Sequence, residues 1–447
     1  MKRKLVWTTL CLALGLVACR QPPSPPAGAA TAGPTPASAS AAPSPPSPAV
    51  PVAATSPASR LATVLRPGYV RPALIDFHGH LSPDAAGRIE QIMADNGVEQ
   101  IVNLSGGSMR RGPEAIAAAK AMSAQLGGRI LNFFNPDWTG LGAPGWGERE
   151  AARLQLAVDQ YGFRGVKISK GLGLGVTDEQ DKLVAVDDAR LAPLWRQAAA
   201  LGVPVSIHVA DPRAFWQTLS PKNERWDELK AHPYWAYGPI APEVMARVHP
   251  ELAVQLAERT KVPSWGEMLQ AAERLYRSHP RTTFVAVHFG NAAEDVDYVD
   301  ALLTRNPNVF IDISARVGEF GRHPAAKLRQ FFERHQDRIV FGTDIGISNE
   351  GLMLGSNGEV EPTQADVAPF YQAHFRFFET ALRGIAHPSP IQGNWTIDAI
   401  DLPADVLAKV YRGNALRLLD RAALRQKAAA VPDKPVPQAV VPAPAAT

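Results

Sequence analysis

His78 and His80 stand two residues apart at the end of an apolar run, in Asp76-Phe77-His78-Gly79-His80. Successive side chains of a strand alternate between faces, so a strand here presents both imidazoles on one side. Neutral imidazole binds divalent metals and carries protons near neutral pH. A histidine pair at this spacing is also a frequent surface accident, so its weight depends on its surroundings. His208 closes Val205-Ser206-Ile207-His208, His288 closes Val285-Ala286-Val287-His288, and Asp344 follows Phe341-Gly342-Thr343. One histidine after an apolar run is usually a hydrogen-bonded core residue, and one aspartate there usually caps or turns the chain. Five such residues at the ends of four apolar runs form a pattern that those ordinary roles do not explain.

The elements that must position these residues recur along the chain. Short apolar, β-branched runs are predicted as strands over Ala73 to Phe77, Gln100 to Leu104, Ile130 to Phe134, Arg164 to Ile168, Val203 to His208, Thr283 to His288, Val309 to Ile313 and Arg338 to Phe341. Amphipathic stretches lie between them, among them Pro113 to Leu126, Glu148 to Tyr161, Ala189 to Leu201, Ala292 to Thr304 and Ala325 to His335. Eight repeats of this kind predict an α/β fold, a (β/α)8 TIM barrel, whose site would lie at the C-terminal ends of the strands. An open doubly wound sheet is the rival fold, but no glycine-rich phosphate loop follows the first strand. The connection between strands 5 and 6 is unusually long, with an insertion over about residues 211–280 that carries Trp216, Trp226, Tyr234, Trp235 and Tyr237 before a helix from Ser264 to Arg277. Such an insertion reads as a lid or substrate wall, or else as an excursion whose aromatic residues pack on themselves.

Two further positions could meet a substrate. Arg316, after the seventh strand in Asp312-Ile313-Ser314-Ala315-Arg316-Val317-Gly318-Glu319, could clamp a carboxylate with two parallel hydrogen bonds, or pair with Asp312 or Glu319. Arg110 in the second strand-to-helix loop is a weaker candidate of the same type. His232, His249, His279, His323, His335, His374 and His387 match no such position and read as surface or lid residues.

The chain has 46 basic and 43 acidic residues among 447, a net charge of +3, which argues against a nucleic-acid binder that must neutralise many phosphates. Two cysteines exclude a disulfide framework and a cysteine-built zinc site. Lys2, Arg3 and Lys4 precede an apolar run from Leu5 to Ala18, which suits the core of a signal peptide over residues 1–18. Leu16-Val17-Ala18-Cys19 resembles a bacterial lipobox, in which the cysteine carries the lipid anchor; the alternative is an ordinary secretory signal with Cys19 incidental. Arg20 follows where aspartate would favour inner-membrane retention, so the resemblance implies an outer-membrane lipoprotein facing the periplasm. Of the 41 residues from Arg20 to Arg60, all but five are Pro, Ala, Ser, Thr or Gly. Residues 19–60 therefore read as a semi-rigid tether. Residues 61–425 then form the barrel domain, and 426–447 a Pro/Ala-rich disordered tail.

With these motifs together, the chain resembles the amidohydrolase superfamily, and more closely its amidohydrolase-related branch of metal-dependent hydrolases, lactonases and non-oxidative decarboxylases. The resemblance covers about residues 70–420. It rests on His78-Gly79-His80, Gly165-Val166-Lys167, Pro204 to His208, His288-Phe289-Gly290, Phe341-Gly342-Thr343-Asp344 and Val410-Tyr411-Arg412-Gly413-Asn414-Ala415. It implies a divalent ion, Zn²⁺ first and Mn²⁺ or Fe²⁺ in its place, held by His78, His80, His208 and Asp344. It also implies that Asp344 acts as general base and that His288 polarises the substrate carbonyl or stabilises the oxyanion. Lys167 stands where some relatives carry a carboxylated lysine bridging two metals. In the branch resembled here one ion is commoner, which favours a structural or substrate-facing Lys167 over a bridge to a second ion.

The activity so implied is hydrolysis of a lactone, ester or amide C–O or C–N bond in a small molecule. The same donors serve decarboxylases, and spacing does not separate the two. A third reading, a non-catalytic binding lipoprotein on an inherited barrel, predicts damage to the donor set, yet every member is present. A homodimer is left open, and the only membrane contact expected is the acyl chain on Cys19.

Overall fold

The computed structural model describes residues 66, 68–247 and 261–432. The signal segment, Cys19, the tether, His249 and the end of the tail lie outside the described residues.

Eight parallel strands follow one another in sequence and in space: β1 (Leu74–Leu81), β2 (Val98–Asn103), β3 (Ile130–Phe134), β4 (Gly165–Ile168), β5 (Val205–Ile207), β6 (Phe284–Ala286), β7 (Val309–Asp312) and β8 (Ile339–Val340). Each pairs with the next. The curled sheet meets itself just beyond β8, where the Phe77 N–H donates to the Phe341 carbonyl (2.8 Å) and the Asp344 N–H to the His78 carbonyl (2.9 Å). These two bonds set the last strand end beside the first, which is why residues 266 positions apart share one rim. The fold is a TIM barrel, with two short additions at the seam. β9 (Ile345–Ile347) pairs parallel with β1, and β10 (Leu352–Leu354) returns antiparallel on β9.

Apolar residues divide into two layers. Ile75, Phe77, Val102, Leu104, Leu131, Phe133, Val285, Phe310 and Val340 fill one cluster, which Ala415 and Leu418 join, while the other strand faces pack against the surrounding helices. A Cβ at Gly165 would fall 2.4 Å from the Phe133 ring, so glycine at the head of β4 is what lets that ring occupy the interior. The helices form where apolar spacing is helical: α1 (Ala86–Asn96), α2 (Ala117–Gln125), α3 (Trp146–Tyr161), α4 (Ala192–Leu201), α5 (Trp265–Ser278), α6 (Val296–Arg305), α7 (Ala325–Arg334) and α8 (Gln364–Glu379). α3 buries Ala151, Leu154, Ala157 and Val158 and ends on Gly162 at φ 73°. α5 starts on a reciprocal cap between Ser264 and Glu267.

The expected elements shift in three informative places. β6 stops at Ala286, because His288 and Phe289 take left-handed backbone angles and lead into a turn. α8, β9 and β10 were not expected. A helix over Arg421–Ala429 runs past the expected end of the domain at 425, since Leu424 and Ala428 are buried. Among the described residues no helix is long and apolar enough to cross a membrane.

Candidate metal centre at the barrel mouth

Among the described residues, five of the seven non-glycine residues with positive φ lie on the loops at the C-terminal strand ends: His288, Phe289, Asn291, Ala315 and Asp344. Each such residue costs about 1–2 kcal/mol, and strain gathered on one face marks where the chain holds side chains against its own preference.

His78, within β1, is fully buried. Its Nδ1 lies 2.8 Å from Asp312 Oδ2, at the end of β7, so Nδ1–H donates to that carboxylate and Nε2 keeps the lone pair. The Asp312 Oδ1 accepts the His288 N–H (2.7 Å) and the Ser314 hydroxyl (2.7 Å), which fixes the carboxylate in turn. His80 is held similarly, its Nδ1 2.7 Å from Ser105 Oγ. The Nε2 atoms of the two imidazoles then converge on Asp344 Oδ1, at 3.4 Å from His78 and 3.3 Å from His80. Ligand atoms of His78, His80 and Asp344 all lie within 4.8 Å of one another.

Burial, followed by the Lys167 charge, lowers the pKa of His78, so it stays neutral. A neutral imidazole lone pair aimed at a carboxylate oxygen is repulsive unless a cation lies between them. His78 Nε2 has no hydrogen-bond partner among the described residues. The donor set therefore fits a divalent metal: two imidazole nitrogens, one carboxylate, and the opposite edge of the buried imidazole hydrogen-bonded to a carboxylate that orients it. Burial works to raise the Asp344 carboxyl, but its polar contacts with the His78 and His80 rings and the Lys167 charge leave it well below the usual carboxylate range, ionised as a ligand must be.

The fourth expected ligand stands apart. The His208 ring packs edge-on to His288, centroids 4.4 Å apart, and its Nε2 lies 3.5 Å from Asp211 Oδ1. Asp211 is engaged by Lys170 Nζ (2.7 Å) and the Tyr237 hydroxyl (3.1 Å). His208 is not among the groups whose ligand atoms cluster within 4.8 Å. Its Nε2, like that of His78, is buried without a hydrogen-bond partner among the described residues.

His288 also departs from its expected role. Its Nδ1 lies 3.0 Å from the Ser314 carbonyl, which can only accept, so Nδ1 is the protonated nitrogen and Nε2 the acceptor. Burial, then the charges of His208, Arg316, His78 and Lys167, push its pKa well down. In this tautomer Nε2 can accept a hydrogen bond and has no proton to donate to an oxyanion.

Lys167, from β4, is 4% exposed and its Nζ has no hydrogen-bond partner among the described residues. Burial lowers its pKa to about 8. Arg316 is 5% exposed and donates from Nη1 to the Ala315 carbonyl at 2.8 Å. Neither carboxylate offered as its partner takes it: Asp312 serves His78, Ser314 and His288, while Glu319 faces Arg225 (3.3 Å) and Arg322. Arg110 lies exposed on the β2 loop.

The aromatic insertion does not pack only on itself. Tyr237 reaches Asp211, the Trp265 indole donates to the Asp211 carbonyl (3.2 Å), and Lys170 lies over the Trp235 ring, 5.0 Å from its centroid. Of the histidines read as surface or lid, His279, His335, His374 and His387 are buried instead; His374, on α8, bonds the Phe370 carbonyl within the core.

Sequence reasoning missed Asp76, a fully buried carboxylate on β1. It accepts the Thr343 N–H (3.0 Å), the Thr343 hydroxyl (2.6 Å), the Tyr371 hydroxyl (2.9 Å) and, at 3.2 Å, the His78 N–H. It thus ties His78 to the residue before Asp344. Its spacing two residues before His78 was the available signal. Asp312 had a signal as well, since it too closes a barrel strand.

A barrel with a metal-type donor set at its C-terminal mouth defines a class of enzyme. Residues 75–421 match the family model described as Amidohydrolase, and the chain belongs to that family of metal-dependent enzymes. No curated protein matches the sequence. Among solved structures it is similar to 2,6-dihydroxybenzoate decarboxylase from Rhizobium, with 17% identity over 78% of this chain and 98% of that one, TM-score 0.43. An uncharacterised TIM-barrel protein from Bordetella bronchiseptica has 16% identity over 78% and 99%, TM-score 0.42. Manganese-bound dihydroxybenzoic acid decarboxylase from Polaromonas has 16% over 78% and 96%, also with TM-score 0.42.

Proposed function

We propose that the protein is a metal-dependent hydrolase that opens a lactone, ester or amide bond at a carbonyl centre, with His78, His80 and Asp344 holding one divalent ion. The observation that carries this reading is the convergence of the two Nε2 atoms on Asp344 Oδ1. An ion bound there supplies Lewis acidity and acidifies solvent towards a pKa of about 7. Imidazole and carboxylate donors suit Zn²⁺, and Mn²⁺ or Fe²⁺ could occupy the same set.

The chain's own groups manage the protons. Asp344, ionised, accepts the proton of the attacking water on its remaining oxygen lone pairs and returns it to the leaving group. His288 offers Nε2 as a second acceptor while Ser314 fixes its tautomer. Asp312 and Ser105 keep the two ligand imidazoles in register. The insertion meets the β5 side of the mouth through Tyr237, which donates to Asp211, and Trp235, whose ring lies beside the Lys170 ammonium.

A second reading, non-oxidative decarboxylation of a carboxylic acid, uses the same donors; what favours it is two basic residues, Lys167 and Arg316, that form no ion pair among the described residues. The export reading belongs to the same proposal: a lipid on Cys19 would tether the enzyme by residues 19–60 to the outer membrane, facing the periplasm.

The test is metal analysis of the purified protein beside two assays, acid release from lactones and amides and bicarbonate release from aromatic acids. Acid release is the expected result, and bicarbonate alone would transfer the assignment to the second reading. Replacing both His78 and His80 by alanine should remove bound metal and turnover from a still-folded barrel. Retained turnover in that variant would refute the site.

A further inference from the structure

We infer that Asn103 is the positioning residue of His80, the more exposed of the two imidazoles, and that it acts through Ser105. The inference rests on the reading of His78, His80 and Asp344 as metal ligands and adds what holds the second ring in place.

The two rings are not equally supported. The His78 side chain is sealed from solvent and its Nδ1 meets the buried Asp312 carboxylate at 2.8 Å, whereas the His80 side chain is 29% exposed and its Nδ1 meets an exposed serine, Ser105 Oγ, at 2.7 Å. For His80 to turn an Nε2 lone pair towards an ion, Nδ1–H must donate to that hydroxyl. A hydroxyl on an exposed loop can orient a ring only if the loop is tied to the strand that carries the ring.

Asn103 makes that tie. It ends β2, is fully buried and lies opposite Gly79 of β1. Its Oδ1 accepts the Leu81 N–H (3.0 Å), directly after His80, and the Ser105 N–H (3.0 Å). One oxygen thus joins the backbones on both sides of the His80–Ser105 contact. The ladder alone is a poor anchor here, because Asp76 lies opposite Ile101 and Gly79 opposite Asn103, so β1 carries one residue more than β2 over this stretch. An extra residue bends a strand and interrupts its pairing. A Cβ at Gly79 would fall 2.7 Å from Ile101 Cγ2, so glycine between the two histidines lets the strands approach closely enough for the tie. The direction of the Asn103 amide is fixed from behind. Its Nδ2 donates to Asn132 Oδ1 (2.9 Å) on β3, and Asn132 Nδ2 donates to the Ala119 carbonyl (2.8 Å) on α2, which can only accept. Starting from that carbonyl, each amide has one orientation that suits its partners, and it leaves the Asn103 oxygen facing the two N–H groups.

The experiment is a double-mutant cycle read as Zn²⁺ affinity, by competition with a chromogenic chelator on protein stripped of metal and reloaded. Ser105→Ala and Asn103→Ala should each weaken Zn²⁺ binding, Asn103→Ala by about tenfold, the lower end of what losing a ligand's supporting partner costs. Because Asn103 acts through Ser105, the double variant should bind little more weakly than the weaker single one, whereas independent effects would multiply. Asn308→Ala supplies the structural comparison. Its buried Nδ2 bonds the Tyr276, His279 and Thr282 carbonyls (3.1 Å each) just before β7, at the opposite end of the strands, so its loss should lower the urea midpoint and leave Zn²⁺ affinity unchanged. Wild-type affinity in Asn103→Ala, effects that multiply in the double variant, or an equal loss of affinity in Asn308→Ala would overturn the inference. If Asn103→Ala loses its thermal transition, the test passes to Asn132→Ala, which frees the Asn103 amide: a smaller loss of affinity is expected, and unchanged affinity would count against the tie. Wild-type protein that binds no divalent ion would remove the metal reading and this inference with it, an outcome distinct from normal wild-type binding that Asn103→Ala leaves intact.

Discussion

The two sides of the barrel mouth use the same residue types to opposite ends. On the β1, β7 and β8 side, Asp344 faces the Nε2 atoms of His78 and His80 and forms no ion pair with a lysine or arginine among the described residues. On the β5 side, Asp211 faces His208 but also contacts the Lys170 ammonium and the Tyr237 hydroxyl. Burial works to raise both carboxyls, yet both stay well below the usual carboxylate range. The difference lies in what neutralises them. Asp211 has an internal counter-ion and needs none from solution, whereas the group around Asp344 is complete only with an external cation. A His/Asp cluster therefore argues for a metal only when no lysine or arginine has already closed it.

The largest expected effect falls on the first side. Asp312→Asn leaves the shape of the group but weakens the hold on the His78 Nδ1–H, and loss of such a supporting carboxylate costs roughly 10–100-fold in metal affinity. Competition with a chromogenic chelator would measure this, and wild-type affinity in the variant would remove Asp312 from the site. Chelation should also lower the melting temperature of wild-type protein, because an ion bound only to the folded state stabilises it.

Asp211→Asn tests the other side. It strips Lys170 of its carboxylate, and charge-assisted bonds of this kind are worth about 1.5–3 kcal/mol, towards the lower end here because Lys170 is 28% exposed. We expect a lower urea midpoint with chelator-sensitive melting retained. If metal binding vanished along with stability, the two sides would be one centre and His208 would return as a ligand.

How far the sequence could reveal this contrast follows from its physics. Strand ends are legible because apolar runs stop where a barrel strand meets solvent, so His78, His80, His288, His208 and Asp344 could all be assigned to one face. Their grouping was not legible, since it depends on which donor each carboxylate meets, and Asp211 and Asp312 are equally plausible partners on paper. His208 shows the limit: its strand and face follow from the apolar pattern, while nothing in the sequence says that the carboxylate beside it, Asp211, is already paired with Lys170 at 2.7 Å. The left-handed turn at His288 was equally hidden, because nothing in Val287-His288-Phe289 requires positive φ.

The smallest effect concerns the seam that keeps the metal side in register. Burial raises the Asp76 carboxyl from 3.8 to about 6 despite four hydrogen bonds, so the folded state binds its proton more readily than the unfolded chain does. Its contribution is fully present below about pH 4 and is lost as pH rises through about 6, the reverse of the depressed Asp211 and Asp344, whose contributions are lost on acidification. Tyr371→Phe removes one donor to the ionised form (2.9 Å) and should cost about 1 kcal/mol, mostly above pH 6 where Asp76 is charged. Urea midpoints at pH 4.5 and 7.5 would show it as a gap between variant and wild type that widens with pH. A gap of the same size at both values would mean that the Tyr371 hydroxyl stabilises the barrel by packing or by neutral hydrogen bonding, and that the link from Asp76 to Thr343 keeps Asp344 in place without it.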